Sequence, residues 1–184
     1  MIQIQNRLQL ITEVKQGREF DFLFFWSHKS QADIIDKSCL SQWYPAKFIA
    51  KEATYFSAEQ YMMAKKAALF RDTKKLHEIL KTEAPYFAKR AGRLVQNFDP
   101  LIWDRRKFDF VVEGNFHKFS QNQRLREFLL GTGDKILVEA SPYDKIWGIG
   151  MRESDPFVTH PVCWRGDNLL GFALMTVREM LWKL

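Results

Sequence analysis

The sequence predicts an α+β fold that is mostly helical, with a small β-sheet. Helix-start signals dominate the middle of the 184-residue chain, and short apolar runs of strand character lie on either side of them. Strands and helices do not alternate regularly, so a doubly wound parallel sheet is not expected. Because no repeat or linker-like segment divides the chain, we expect one domain over residues 1–184, with residues 1–19 as an N-terminal extension.

Three segments have the composition of strands. FDFLFFW at 20–26 predicts a buried strand, and KILVEAS at 135–141 predicts another, which the following PYDKIWGIG continues as a structured turn. KFIAKEATYF at 47–56 predicts two short strands around a turn at Lys51 and Glu52. That turn lacks the Asn-Gly or Asp-Gly pair that tight hairpins favour.

The helices are predicted from their capping residues and from the apolar spacing that follows. The signals are a capping box of Ser57 with Gln60, Asp72 as the cap of a helix through about Lys81, Asp99-Pro100 at another helix start, a second capping box of Ser120 with Gln123 in a helix that ends at Gly131, and the amphipathic DNLLGFALMTVREML near the C-terminus. We therefore expect the middle and the end of the chain to be helical.

Composition indicates a soluble protein of a reducing compartment. Cysteine occurs only at Cys39 and Cys163, and the opening MIQIQNRLQLITEV has neither the basic nor the apolar region of a secretory signal. No run approaches the roughly 20 apolar residues that span a membrane. We expect a cytoplasmic protein without a disulfide framework.

The positive charge is concentrated in one third of the chain. The net charge is +6, and between Lys47 and Lys107 there are 14 lysines and arginines against 7 acidic residues. Such a region can attract phosphates, a nucleotide or nucleic acid. Solvated helix faces explain the same pattern, so charge alone leaves both interpretations open.

Glu59 and Lys66 are the first candidate catalytic pair. With Ser57 as N-cap, Glu59 falls in the first helical turn, where the macrodipole favours a negative charge. Lys66 follows seven residues later on the same face, about 10 Å along the axis. This helix face is either part of the core, with a lysine that reaches solvent, or the floor of a pocket that contains a carboxylate and an amine.

The turn after the last strand supplies a second candidate cluster. In VEASPYDKIWGIG, Asp144 and Trp147 precede Gly148, and glycines allow backbone to approach a ligand closely. A turn-forming aspartate and a tryptophan in the core are the equally weighted alternative. Trp43 and Trp103 also lie outside obvious core positions, and indole rings either stack on bases or fill cores.

Other chemistries lack their motifs. The four histidines form no metal-spaced pair, so no metal site is predicted, and the sequence contains no P-loop, GxGxxG, nucleophile elbow or zinc-deaminase signature. We expect no cofactor. Two carboxylates, an amine and aromatic rings near a basic region suit cleavage of a glycosidic bond to a planar base.

A series of motifs resembles the NADAR superfamily, the YbiA-like N-glycosidases. In order they are LSQWYPAKF, YFSAEQYMMAKKA, KRAGRLV, the Trp103 segment, HKFSQN, LLGTGDKILVEASPYDKIWGIG and WRGDNLLGFALMTVRE. The resemblance extends from about Phe22 to the C-terminal helix. The Ser-Ala-Glu-Gln helix start with the distant Glu-Ala-Ser-Pro-x-Asp-x-Ile-Trp-Gly-x-Gly is its most specific part.

The resemblance implies a YbiA-like fold and hydrolysis of N-glycosidic bonds between ribose and a base-like group. One branch of the superfamily acts on phosphoribosylamine intermediates of riboflavin synthesis, and another removes ADP-ribose from guanine bases. The implied catalytic residues are Glu59, Lys66 and Asp144. The candidate substrate-binding residues on these motifs are Trp43, Tyr44, Arg93, Trp103, Lys118, Trp147, Gly148 and Asn168.

Two positions depart from the pattern that the resemblance implies. Ser27 stands in WSH where a glycine is common, and Lys51-Glu52 replaces an Asp-Gly-like turn. Both lie in loops expected at the mouth of the pocket. Substrate choice between a phosphoribosyl compound and an ADP-ribosylated nucleic acid therefore stays open, as does the oligomeric state.

Two functions are compatible with these residues. In an N-glycosidase, Glu59 stabilises the oxocarbenium-like sugar and activates water, and Asp144 orients ribose hydroxyls or shares the acid–base work. Lys66 either attacks C1′ or binds phosphate, and Trp103 or Trp147 stacks on the leaving base. The alternative is a non-catalytic module that binds ADP-ribose or a nucleotide in the same pocket and does not need Glu59.

Overall fold

The fold is given by a computed structural model that describes residues 4–28 and 34–184. In chain order the elements are α1 (Arg7–Lys15), β1 (Phe22–Phe25), β2 (Phe48–Ala50), β3 (Ala53–Tyr55), α2 (Ala58–Leu69), α3 (Thr73–Leu80), α4 (Pro85–Arg93), α5 (Pro100–Gln121), α6 (Gln123–Gly131), β4 (Ile136–Glu139) and α7 (Leu169–Trp182). Short 3₁₀ helices cover Lys37–Leu40 and Pro161–Cys163. The predicted α+β, predominantly helical fold is confirmed, and its strands form two two-stranded sheets.

The described chain divides into two compact units, with the boundary inside α6. One unit comprises the described parts of 1–41 together with 127–184, and the other comprises 42–126. That residues 1–184 form one domain, with residues 1–19 as an N-terminal extension, stays a prediction.

In the 42–126 unit, α2 is the central helix and packs against α3, α4 and α5. Its start follows the predicted cap, since the Ser57 hydroxyl accepts a hydrogen bond from the Gln60 amide at 3.2 Å. The Gln60 side chain does not complete a capping box. Instead it accepts from the Phe56 amide and donates to the carbonyls of Ile79 and Thr82, so a buried glutamine joins α2 to the end of α3.

The hairpin that precedes α2 is confirmed, with β2 antiparallel to β3 and Phe48 opposite Tyr55. The Phe48 and Tyr55 rings stack at 5.7 Å, and Tyr61 of α2 packs on the Tyr55 ring at 4.9 Å. The hairpin thus anchors the middle of α2 through aromatic contacts.

In the other unit, β1 pairs in parallel with β4, and α7 packs against β4. The predicted strand at 20–26 is shorter than expected, and Trp26 is 47% exposed. A strand in a two-stranded sheet is less buried than a central strand of a larger sheet. This accounts for the short β1 and the exposed Trp26. Helix α1, which the sequence did not predict, is fixed by Arg7 donating to the carbonyls of Pro161 and Val162.

Most helix ends follow their local capping signals, but the end of α5 does not. The caps at Asp72 and Asp99 are confirmed. The second capping box is wrong, because α5 continues through Ser120, whose hydroxyl lies 3.4 Å from the carbonyl of His117. The buried Phe119 explains this extension, since its packing outweighs the local cap signal. The end of α6 at Gly131 is confirmed.

Helix α4 was not predicted. It begins with Pro85 at its first turn after Ala84, which supplies no side-chain cap. None of the helices within the described ranges combines the length and hydropathy of a membrane span.

The β2–β3 turn gives a stability prediction. Lys51 and Glu52 have φ values of 47° and 67°, in the left-handed region that costs non-glycine residues roughly 1–2 kcal/mol each. We expect Glu52→Gly to raise the free energy of unfolding by about 0.5–1 kcal/mol, after allowance for the extra freedom of glycine in the unfolded chain. Urea denaturation measures the change.

The matched control is Ala53→Gly, one residue further on in β3. The backbone φ of Ala53 is not positive. Glycine at this position should therefore lower the free energy of unfolding by about 0.5–1 kcal/mol. A loss of stability in Glu52→Gly would contradict the strain at the turn.

Candidate active site

Helix α2 places Glu59 in its first turn. The Glu59 amide donates to the carbonyl of Gln42 at 2.9 Å, and the residue is only 2% exposed. The carboxylate therefore lies buried at the N-terminal end of a helix, where the peptide dipoles favour negative charge. Burial also limits how much water surrounds it.

A lysine that the sequence analysis did not single out lies beside Glu59. Lys89 of α4 has its Nζ 3.9 Å from Glu59 Oε1 and 5.4 Å from the ring centroid of Trp43. The sequence KRAGR does indicate Lys89, because on a helix it shares a face with Arg93, four positions later. This signal depends on α4 being a helix, which its uncapped start at Ala84 does not indicate.

Lys66 lies at the other end of α2, against aromatic rings. Its Nζ is 4.1 Å from the ring centroid of Phe98 and 5.7 Å from that of Trp103. Burial lowers the pKa of Lys66 below the ordinary value of a lysine. The structure thus brings together two predicted residues, Lys66 and Trp103, and adds Phe98, which the sequence analysis missed.

Glu59 and Lys66 meet different neighbours. Seven residues of α-helix separate them by about 10 Å along the axis. The carboxylate lies next to α4 through Lys89, whereas the amine lies next to α5 through Trp103. That both side chains reach one anomeric carbon stays a prediction.

Trp43 and Arg93 line a common cleft in the same unit. The cleft has a volume of about 360 Å³. Its other lining residues are Tyr86, Lys89 and Arg90. Arg93 is exposed near the C-terminal end of α4, so its guanidinium is accessible to an anion.

Tyr44 and Lys118 are two further substrate-binding candidates, and the structure brings them together. Lys118 is fully buried in α5, with Nζ 5.6 Å from the ring centroid of Tyr44 and 4.9 Å from that of Phe119. On the same helix, Asn115 donates to the Gln42 side chain at 2.7 Å. Because Gln42 also accepts from the Glu59 amide, this contact helps to fix the start of α2.

The second signature lies in the other unit and forms a hydrogen-bonded turn. Asp144 Oδ1 accepts from the amides of Ile146 and Trp147, at 2.9 and 2.8 Å. The Asp144 amide in turn donates to the Ser141 hydroxyl at 3.2 Å. One carboxylate oxygen of Asp144 is thereby engaged in ordering the turn.

Gly148 and Asn168 have structural roles that the sequence did not reveal. A Cβ on Gly148 would lie 2.8 Å from the Glu139 carbonyl oxygen, so close backbone packing requires the glycine. Asn168 is fully buried at the start of α7, with a φ of 56°. Its side chain accepts from the Glu139 amide and donates to the Leu137 carbonyl, both at 2.9 Å, which joins α7 to β4.

Residues 4–28 and 34–184 contain no group of three or more histidine, cysteine, aspartate or glutamate side chains placed to hold a metal ion. Cys39 is buried and Cys163 is exposed, and neither takes part in a disulfide within the described residues.

Similarity to known proteins identifies the family. N-glycosidase R617 of Acanthamoeba polyphaga mimivirus is 47% identical over 163 residues, which cover 85% of this chain and 93% of that protein. N-glycosidase YbiA of Escherichia coli is 32% identical over 177 residues, covering 95% of this chain and 96% of that protein. A shorter match, 36% over 108 residues, joins 56% of this chain to 16% of the chloroplastic riboflavin biosynthesis protein PYRR of Zea mays.

The fold agrees with these matches. The NMR structure of Escherichia coli YbiA superposes with a TM-score of 0.72 at 26% identity, covering 90% of this chain and 88% of that one. The NADAR domain model matches residues 24–182. The curated relatives support N-glycosyl hydrolase activity, and the chain belongs to the NADAR family.

Proposed function

We propose that this NADAR protein hydrolyses the N-glycosidic bond between C1′ of a phosphorylated ribose and a base-like leaving group, with Glu59 as the catalytic carboxylate. The observation that carries the proposal is the burial of Glu59 at the start of α2, 3.9 Å from the ammonium of Lys89. A buried carboxylate is costly unless it is paired, so this pair is a candidate for function.

Glu59 suits the charge that develops during cleavage. As the bond from C1′ to the base nitrogen breaks, its electron pair leaves with the nitrogen and the sugar becomes oxocarbenium-like. A carboxylate beside C1′ stabilises that cation and takes a proton from the attacking water, while the departing nitrogen gains a proton. The new C1′–O bond completes the hydrolysis.

Lys66 supports a covalent variant of the same reaction. Burial lowers its pKa and so increases the neutral amine available at a given pH. The neutral nitrogen can bond to C1′ as the base departs, and ring opening then gives an imine that water hydrolyses. The alternative is that Lys66 binds phosphate as an ammonium, and the two roles differ in their chemical products.

Aromatic rings near Lys66 supply a place for the leaving base. Trp103 and Phe98 both lie within 6 Å of the amine. Rings of this kind stack on planar bases irrespective of sequence. For Asp144 we propose a positioning role in its turn, because its carboxylate accepts from two backbone amides.

Two substrate classes fit this chemistry. Phosphoribosylamine intermediates of riboflavin synthesis are supported by the name of the partially matched maize relative. ADP-ribosylated guanine in nucleic acid is supported by the basic stretch from Lys47 to Lys107. Both present a phosphorylated ribose with a base on C1′.

A non-catalytic nucleotide-binding module is the second candidate. The cleft with Trp43 and Arg93 favours it, because rings and cations bind a nucleotide without help from Glu59. Such a module would bind ligand but release no base.

Glu59→Gln tests the catalytic assignment. The change preserves the shape of the side chain and removes its charge, so we expect turnover to fall by about 100-fold or more while folding and ligand binding are retained. Base release is measured by chromatography, and folding by circular dichroism.

The control for this variant is Glu83→Gln, an exposed acidic residue of the same unit. It should leave turnover unchanged. Near-normal turnover in Glu59→Gln would contradict the role of Glu59, and binding without base release in the unaltered protein would favour the module.

A trapping experiment tests the covalent role of Lys66. Borohydride added during turnover should reduce the imine and leave a sugar adduct on Lys66, detected by peptide mass spectrometry. Lys65 is an internal control on the same helix, since its amine is ion-paired with Glu113 at 2.9 Å. Absence of an adduct, together with substantial activity in Lys66→Arg, would assign Lys66 to phosphate binding.

The pH profile gives an independent test of Lys66. Because its pKa is lowered, the neutral amine accumulates at a lower pH than in an ordinary lysine. We expect kcat/KM to rise with pH through an apparent pKa below the usual value near 10.4. Lys66→Arg should remove this rising limb, and a limb that persists in the variant would exclude the neutral amine as its cause.

A further inference from the structure

Asp72 joins three segments of the chain around the last turn of α2. Its amide donates to the Ala67 carbonyl at 2.9 Å, which closes the end of α2 after Arg71 has turned the chain with a φ of 56°. One carboxylate oxygen, Oδ1, accepts from the Lys75 amide at 3.0 Å and caps α3. The other, Oδ2, accepts from the Gln96 amide at 2.9 Å. The two oxygens of one side chain thus tie the start of α3 to the loop that precedes α5.

The contact between Asp72 and this loop is a charge-assisted hydrogen bond. The Gln96 amide is the largest cause that lowers the pKa of Asp72, followed by the Lys75 amide, and the charges of Lys75 and Lys74 add to the effect. Because its pKa is lowered, the carboxylate is ionised at neutral pH and accepts as an anion. Hydrogen bonds to an ionised acceptor are stronger than those between neutral groups.

The loop that precedes α5 carries Phe98. Asn97, the residue between the anchored amide and this ring, has a φ of 56°, so the chain turns sharply there. The Phe98 ring forms a T-shaped contact with Phe70, the C-cap of α2, at a centroid distance of 5.3 Å. Lys66 Nζ lies 4.1 Å from the centroid of the Phe98 ring. The loop therefore determines where this ring lies relative to the amine.

The Phe98 ring has two opposed effects on the Lys66 amine. A ring attracts an ammonium that lies over its face, which favours the charged form. The same ring displaces water, which favours the neutral form. Burial is the cause that lowers the pKa of Lys66, and no charged group within the described ranges contributes. Displacement of water thus outweighs the attraction, and removal of the ring should raise the pKa of the amine.

We propose that Asp72 is a positioning residue for the reaction, which holds the Gln96 amide and thereby keeps the Phe98 ring over the Lys66 amine. The role rests on the proposed function, in which Lys66 acts as a neutral amine. The carboxylate of Asp72 bonds to backbone amides, so it acts on the amine through the loop. A loosened loop would admit water to Lys66 and leave less neutral amine at neutral pH.

The pH dependence of acetylation by acetic anhydride tests this role in the full chain without substrate. Peptide mass spectrometry gives the labelling rate of Lys66 at each pH. The midpoint of the curve reports the pKa of the amine, and the plateau at high pH reports its accessibility. In the unaltered protein we expect a midpoint below the usual lysine value near 10.4. The exposed Lys81 is an internal reference, whose curve should be the same in every variant.

Asp72→Ser separates the two hydrogen bonds of the carboxylate. Serine is as good an N-cap as aspartate, but it has one oxygen, so it keeps the cap on α3 and loses the bond to Gln96. We expect the Lys66 midpoint to move to higher pH. If the amine acts in its neutral form, kcat/KM at neutral pH should fall by about tenfold for each pH unit of that movement. Phe98→Ala, at a 43% exposed position, should move the midpoint in the same direction.

Two matched controls lie close to these positions. Asp99 caps α5 with one oxygen alone, which accepts from the amides of Leu101 and Ile102. Asp99→Ser therefore keeps its cap, removes the same charge beside Phe98, and should leave the Lys66 midpoint unchanged. Phe87 is 55% exposed on α4, and Phe87→Ala should also have no effect. Circular dichroism verifies that each variant is folded.

The role of Asp72 would be excluded if the Lys66 midpoint stayed unchanged or fell in Asp72→Ser, or if Asp99→Ser moved it equally. An unchanged midpoint in Phe98→Ala would exclude the ring as the group that covers the amine. Failure of the proposed function gives a different pattern. In that case the midpoints would move as expected without substrate, while borohydride would trap no sugar on Lys66 and no base would be released.

Discussion

Burial of the first two turns of α2 is the constraint on which the candidate site depends. Residues 58–64 are all buried, so each polar group among them must find a partner within the protein. Gln60 meets this requirement with three hydrogen bonds that join α2 to the hairpin and to the end of α3. Glu59 lies close to the ammonium of Lys89. The same packing that stabilises the helix therefore fixes the direction of the carboxylate.

The helices around α2 give its two ends different chemistry. At the Glu59 end, α4 supplies Lys89 and, further along, two accessible arginines. At the Lys66 end, α5 supplies the ring of Trp103, and burial there lowers the pKa of the amine. A substrate that lies along α2 would thus have its phosphates near α4 and its leaving base near α5. Under the proposed function, this polarity accounts for an acidic and a basic residue on one helix.

Much of the fold could be predicted from local signals, because caps and turns act over three or four residues. Ser57 and Asp99 begin helices as expected, and the hairpin forms even though Lys51 and Glu52 must adopt positive φ values. Predictions failed where packing outweighed these signals. Helix α5 runs past Ser120, because its last turn carries the buried Phe119.

The site was predictable in part, for a related reason. Glu59 and Lys66 were candidates because of their spacing on one helix, and the structure confirms that helix, while their catalytic roles stay a prediction. Lys89 and Phe98 were missed because their roles depend on how α4 and the start of α5 pack against α2. Asn168 has a structural role that the sequence did not reveal, and its predicted part in substrate binding stays a prediction. A side chain that sequence similarity suggested for substrate binding has its amide engaged with the backbone of β4.

The most direct test of the central claim is product analysis of the purified protein with two substrates in parallel, a phosphoribosylamine intermediate of riboflavin synthesis and an oligonucleotide carrying ADP-ribosylated guanine. Mass spectrometry would identify the products of each reaction. The account predicts cleavage at C1′ of at least one substrate, with an intact base and a free phosphorylated sugar. Recovery of both substrates unchanged, or cleavage at a phosphate in place of C1′, would contradict it.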